Sequence, residues 1–286
     1  PERAQSPGTP TPVGSFNVTE LGDKADKIGK DDNFRGLTIH DNVLYYTKGS
    51  GSNGVNTVYF LDTTGTACPD GTGLPAAGAQ LPTSPLAYNL STLQTSGLPS
   101  NMCILKGFPT NLAKSATTFP FGMWFANAGT LYVADEGDGT DTYANGAYTA
   151  AADSTTAGLQ KWVYSAADGE WELAYTLQSG LKLGQPYTVP GYPGGDNAAT
   201  GLPWAPATDG LRNLTGQVNR NGTVSIWAIT STVSGGGDQG ADPNQLVEIT
   251  DQLSAAAAPA AESFRAIEGA RFGQVLRGVS FTPGSY

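Results

Sequence analysis

The sequence predicts an all-β fold, and three observations carry that prediction. Only 14% of the 286 residues are charged while 38 are Gly and 19 are Pro, so short apolar runs alternate with turn residues throughout. No long amphipathic pattern of helical period interrupts them, and the Ala-rich run over 255–261 is broken by Pro259. The third observation is a repeat. A short first strand with Gly or Asn among apolar residues recurs as Phe34-Arg35-Gly36-Leu37-Thr38, Phe121-Gly122-Met123-Trp124, Leu211-Arg212-Asn213-Leu214-Thr215 and Leu276-Arg277-Gly278-Val279-Ser280. A second strand follows the first three after a turn: Val43-Leu44-Tyr45-Tyr46, Thr130-Leu131-Tyr132-Val133 and Val224-Ser225-Ile226-Trp227. Self-similarity over many tens of residues marks repeated supersecondary units. Four antiparallel strands per unit is the pattern of β-propeller blades, so a propeller with about three full blades and two orphan strands is expected.

Taken in order, residues 1–13 hold four prolines and read as a leading arm to a propeller over 14–286. Phe16, Val18 and Glu20 alternate over 14–21 as an outer strand would. The first blade is expected over 33–106, with strands at 35–40, 43–48, 56–61 and 102–106 and a Gly/Pro/Thr-rich excursion over 62–101. The second spans 121–178, with strands at 122–127, 131–135, 159–164 and 171–177 and a polar insertion over 137–158. A connection over 181–209 leads to the third, 211–268, with strands at 211–218, 224–230, 245–249 and 264–267. A last strand, 277–282, opens a partial blade built from 276–283 and 14–21 that lacks its two middle strands. Open sheet edges invite association. A second polypeptide or a second copy is therefore expected to complete the ring. A chain beginning Pro1-Glu2-Arg3 also reads as the processed product of a longer precursor.

The net charge of −10 argues against nucleic acid and against an anionic membrane surface as partner. No apolar stretch approaches the ~18 residues of a bilayer span. Scarce Lys with abundant Thr, Ser, Asn and Gly suits a secreted protein. Cys68 and Cys103 are the only cysteines and the chain has one His, so a disulfide is expected rather than a metal or redox pair. Asn17, Asn89 and Asn221 open glycosylation sequons; Asn213 opens a fourth but lies on an expected buried strand.

Two clusters carry candidate chemistry. Arg35, Arg212 and Arg277 hold equivalent places in three first strands, where guanidiniums converging on a central channel would receive a carboxylate or phosphate. The competing reading pairs each Arg with a carboxylate near in sequence, from Asp31, Asp32, Asp209 and Glu268. Asp135, Glu136, Asp138 and Asp141, interleaved with glycines, form the densest acidic run and suit calcium, a hard cation that takes oxygen ligands. The spacing is not that of an EF-hand, because the twelfth position from Asp135 is Gly146; a solvated acidic loop is the alternative. Glycine-rich loops follow the second strand in all three repeats and are expected on one face, where function tends to sit. His40 beside Asp41 reads as a turn residue, and no nucleophile elbow, phosphate loop or zinc spacing is present. Tyr143, Tyr148, Tyr187, Tyr192 and Trp204 fall in expected loops, suited either to stacking on a ligand or to packing beneath the loops.

The run Asn127-Ala128-Gly129-Thr130-Leu131-Tyr132-Val133-Ala134-Asp135 resembles the second strand of NHL- and YVTN-like bacterial propellers, and Phe34-Arg35-Gly36-Leu37-Thr38 with Leu44-Tyr45-Tyr46 is similar. Over roughly 14–284 the chain resembles the C-terminal portion of large secreted propeller proteins. The resemblance implies blades, and such propellers include lyases, lactonases, lectin-like binders and scaffolds, so it implies no single reaction. Three functions are therefore expected in this order. The first is a secreted propeller that binds a ligand or protein partner through its glycine-rich loop face, with an Arg-lined anion site. The second is a calcium-assisted hydrolase or lyase acting on an extracellular polysaccharide or ester, and the third a structural subunit of a larger propeller. Whether the chain is an enzyme stays open at this point.

Overall fold

The computed structural model describes residues 34–49, 55–62, 67–68, 71–75, 102–111 and 115–282. The fold is all-β, and none of its sheets closes into a barrel. The first sheet holds β1 (Phe34–His40), β2 (Val43–Lys48), β3 (Thr57–Leu61), β4 (Thr72–Gly73) and β5 (Met102–Leu105) in the order β1-β2-β3-β5-β4. Its pairs are antiparallel except β4–β5. The second is an antiparallel sheet of β6 (Pro120–Asn127) and β7 (Thr130–Asp135) with β10 (Gly158–Ser165) and β11 (Glu170–Leu177). Between β7 and β10 lie a small hairpin, β8 (Tyr143–Ala144) and β9 (Ala147–Tyr148), and one helical turn, α1 (Thr149–Ala152). The third sheet runs β12 (Ala207–Val218), β13 (Thr223–Val233), β14 (Gln245–Gln252) and β15 (Arg265–Gly269) in chain order.

Each expected set of four strands forms one sheet, because each set has the period-2 apolar pattern and turns short enough to bring neighbours together. Asp41 and Asn42 adopt φ of 47° and 61°, the left-handed pair that a two-residue hairpin between β1 and β2 requires. Cys68 and Cys103 are bonded as expected, with Cα atoms 5.7 Å apart; closing a loop of 35 residues contributes about 3–4 kcal/mol.

Four features differ from expectation. The excursion over 62–101 contributes β4, which adds a fifth strand to the first sheet beside β5. Strand β12 begins at Ala207, because residues ahead of the pivot pair with the far end of β13. The polar insertion carries the β8–β9 hairpin and α1. Residues 276–282 form no strand: among the described residues no neighbouring backbone supplies a ladder. The expected strand over 14–21 and sequons Asn17 and Asn89 lie outside the described residues.

The sheets stack with their first strands side by side: β1 against β6, and β6 against β12. The repeat's glycines permit this approach. A Cβ on Gly36 would stand 2.0 Å from the Phe121 carbonyl oxygen, and one on Gly122 2.6 Å from that of Arg212. Thr47 stitches the first pair, its hydroxyl accepting from the Gly36 amide and donating to the Phe121 carbonyl. The core lies between sheets. Tyr45, Tyr59, Phe60, Met123, Phe125 and Trp171 fill the first gap, and Tyr132, Leu159, Leu211, Val224 and Ile226 the second.

The second gap also holds a buried ionic network. Lys161 and Asp251 are fully buried and pair at 3.1 Å. The Lys161 ammonium donates to the Tyr175 hydroxyl and to the Gln252 and Ala255 carbonyls at 2.8, 2.7 and 3.1 Å. Tyr132 and Tyr175 both donate to the Asp251 carboxylate, and burial with that carboxylate pushes both phenols up. Every charge is answered, so removing one partner costs more than removing both. Urea unfolding is expected to show Lys161→Met destabilised by about 3–5 kcal/mol, with much of the loss recovered when Asp251→Leu is added. A double variant no better than the single would refute that coupling.

Candidate functional site

The charged groups gather where β7 ends beside the middle of β12. The Glu136 carboxylate, 7% exposed, lies between two guanidiniums: Arg212 at 3.0 Å and Arg35 at 3.7 Å. Both guanidiniums also lie over the ring of Phe121, at 4.6 and 5.4 Å. Phe121 occupies in β6 the position that Arg35 and Arg212 occupy in β1 and β12. Three adjacent repeats thus place cation, aromatic and cation in line, with Glu136 as shared counterion. Burial raises the Glu136 pKa, while Arg35 and then Arg212 pull it back down.

Arg35 and Arg212 are therefore brought together as expected, but their carboxylate comes from neither of their sequence neighbourhoods. Asp209 bonds elsewhere, Glu268 is exposed, and Asp31 and Asp32 lie outside the described residues. Arg277 is exposed and forms no ion pair among the described residues. The backbone carbonyl of Arg277 accepts a hydrogen bond from the Asn213 side chain at 2.7 Å.

Behind this triad lie two further buried carboxyls, Asp135 and Asp209, both 0% exposed. Asp135 accepts from the Phe119 amide at 2.8 Å, the Gln160 side chain at 3.1 Å and the Gly137 amide at 3.0 Å. Asp209 uses one oxygen, Oδ2, which accepts from the Gly139 amide at 2.9 Å and the Gln239 side chain at 2.6 Å. Its other oxygen, Oδ1, is buried without a hydrogen-bond partner. Burial pushes both carboxyls up to about 7, against the pull of those donors. Gly137, at φ +81°, makes the fit possible: a Cβ there would stand 2.4 Å from the Asp209 carboxyl carbon.

Asp209 lines an open cavity of about 300 Å³ with Asp138, Asp153, Ser154, Thr155 and Thr156, and with Phe119, Thr117 and Gly137 completing its wall. Its lining carries three carboxylates and several hydroxyls but no Lys, Arg or His. The loops after β7 and β13 meet here, because the Gln239 side chain donates to the Glu136 and Gly137 carbonyls, both at 3.2 Å. The glycine-rich loops of the second and third repeats thus share one face.

Of the four expected calcium ligands, Asp135 has both oxygens engaged by N–H donors and Glu136 is held by arginines. Asp138 accepts from the Thr140 amide and lines the cavity, while Asp141 is exposed. Among the described residues no group of three or more His, Cys, Asp or Glu is placed to hold a metal ion. Asp209 is the residue that sequence reasoning passed over as a site: it reads as an arginine's partner at the end of the connection over 181–209, and its place here arises from the approach of β7. His40 stacks on Phe125 at 4.3 Å. The loop tyrosines serve packing: Tyr148, Tyr187 and Tyr192 donate to the Pro203 carbonyl, the Pro243 carbonyl and Asp242. Asn221 is exposed at the β12–β13 turn, where its side chain accepts from Thr223. No protein-family model matches the chain, and no curated protein matches it.

The two raised carboxyls set a pH dependence. Unfolded, they ionise near about 3.9; folded, near about 7. Between those values the folded chain keeps protons that the unfolded chain releases, so their contribution to stability is full below the lower value and falls away as pH rises through the higher. Asp209→Asn keeps an oxygen for Gly139 and Gln239 and removes the buried charge. Urea titrations are expected to show a flatter loss of stability from about pH 4 to 7 in this variant, and no lower stability than wild type at about pH 8. An unchanged slope would contradict the placement of Asp209.

Proposed function

We propose that the chain is a non-catalytic β-propeller module that binds a small cationic, hydroxyl-bearing ligand through its loop face. The propeller reading is supported by three up-and-down sheets with first strands side by side, followed by a fourth first-strand segment held against the third sheet. The observation that carries the ligand class is the cavity lining, where Asp138, Asp153 and Asp209 meet several hydroxyls and no Lys, Arg or His. An ammonium brings three donors and a charge, which suits this lining better than any anion. The anion reading loses ground because Glu136 already neutralises one of the two converging guanidiniums. The cavity volume of about 300 Å³ matches a ligand of monosaccharide size.

An enzymatic reading rests on the same residue: a carboxyl titrating near about 7 at a cavity wall has the character of a general acid or base. Among the described residues no group of three or more His, Cys, Asp or Glu is placed to hold a metal ion beside it, and binding is the reading we favour. Calcium chemistry finds less support still, since the oxygens of Asp135 and Glu136 are already engaged.

Titration calorimetry with glucosamine, N-acetylglucosamine and phosphate tests the reading, because the first two differ chiefly in the ammonium. Glucosamine is expected to bind, more tightly as pH rises toward about 7 and Asp209 ionises while the sugar keeps its ammonium, and about tenfold or more weakly to Asp209→Asn. N-acetylglucosamine and phosphate are expected to give no such response. Equal binding of the acetylated sugar, or an Asp209→Asn variant that binds as well as wild type, would overturn it.

A further inference from the structure

The contacts that join one sheet to the next follow a single rule. Each pivot residue meets the carbonyl that precedes the next pivot: Gly36 meets that of Phe121, Gly122 that of Arg212, and Asn213 donates to that of Arg277. Apolar residues that follow a pivot lie toward the preceding sheet, although the third repeat has Gly216 at the place where the second has Phe125. Met123 and Phe125 are 6% and 8% exposed against the first sheet, with Phe125 4.7 Å from Tyr45. Leu214 packs into the cluster around Tyr132 of the second sheet. In the fourth repeat, Phe281 meets Trp227 edge-on at 5.2 Å. The strand registers make Tyr45, Tyr132 and Trp227 equivalent receivers, since each stands opposite the residue two places after its pivot. Segment 276–282 therefore sits on the third sheet as β6 sits on the first, although it forms no ladder.

At the two ends the rule is unmet. On β1 the equivalents of Met123 and Phe125 are Leu37 and Ile39, and they are 69% and 57% exposed, with Phe34 47% exposed beside them. At the other end, a Cβ on Gly278 would meet no described atom within 4 Å, where Gly36 and Gly122 each meet a carbonyl. Apolar knobs without a receiver stand at one end, and a pivot without its carbonyl stands at the other. Adjacent large exposed apolar side chains on one strand mark an interaction surface.

We propose that the β1 face is an interface for a second copy of this chain, docked head to tail against the partner copy's 276–282 end. A second copy is favoured over other occupants because it carries both missing halves of the contact rule. The carbonyl of Arg35 precedes pivot Gly36 as that of Phe121 precedes Gly122, so it is the group that Gly278 lacks. Two such contacts close a twofold ring, whereas a heterologous contact that fails to close makes filaments. This interface is independent of the cavity at Asp209, and its test reads mass rather than ligand.

Native mass measurement at about 10 μM is the experiment, a concentration at which stable interfaces are populated. The wild type is expected at twice the 29.5 kDa chain mass. Leu37→Glu with Ile39→Glu, and separately Gly278→Leu, are each expected to give the single mass with unchanged circular-dichroism melting, because all three positions are exposed. Mixing those two variants is expected to recover dimers in part, since one of the two contacts then joins the intact half of each variant. A monomeric wild type would overturn the proposal. A dimer that survives either variant, or a mixture that stays monomeric, would equally refute the head-to-tail geometry.

Discussion

The close approach of neighbouring first strands is the constraint on which the rest of the molecule depends. Sheets stacked face to face ordinarily stand apart by the depth of two side-chain layers. Here the first strands meet backbone to backbone at Gly36 and Gly122, and aromatic rings fill much of the remaining space between the sheets. Any side chain at those pivots would push the first strands apart. Away from the pivots, Phe108 stacks on Trp162 at 3.9 Å.

The candidate site is a consequence of the same approach. Where β7 meets β12, Gly137 and Gly210 bring the chains so close that a Cβ on Gly210 would lie 2.3 Å from the Asp135 carbonyl oxygen. Carboxyls at that junction are stripped of water, which raises Asp135 and Asp209 toward neutrality. Amide donors recover part of the cost, and the two arginines do so for Glu136. Asp209 Oδ1 is the oxygen left over, and Asp209 is one of the residues lining the cavity beside the insertion between β7 and β10. Packing and binding potential thus have one geometric origin. Phe121 belongs to both, as a pivot neighbour and as the ring beneath two guanidiniums.

The repeat was legible because its signals are local. Alternating apolar residues, turn glycines and the recurring Arg-Gly or Arg-Asn pivot specify strands whichever sheet they join, and the Cys68–Cys103 bond followed from counting cysteines and His. Partners were less legible. Glu136 lies 76 residues from Arg212, so nothing local marks it as the shared counterion. Asp209 looked like a partner for Arg212, farther along the same strand, because proximity in sequence was the available guide. The tyrosines at 148, 187 and 192 read as free rings in loops, yet their hydroxyls are tied to protein acceptors that only the folded connection over 181–209 brings near. Segment 276–282 has the composition of a strand, but strand structure needs a neighbour, and composition does not supply one.

Stability measurements on the pivot glycines test the central claim most directly. Gly36→Ala and Gly122→Ala are to be compared with Gly129→Ala, where the nearest atom to a new Cβ is a side-chain oxygen at 3.7 Å. If backbone contact between first strands governs the fold, both pivot variants lose about 1–3 kcal/mol or more in urea unfolding, the cost of overpacking against backbone. The Gly129 variant should stay within about 0.5 kcal/mol of wild type, as surface substitutions do. Pivot variants as stable as the Gly129 variant would contradict the account.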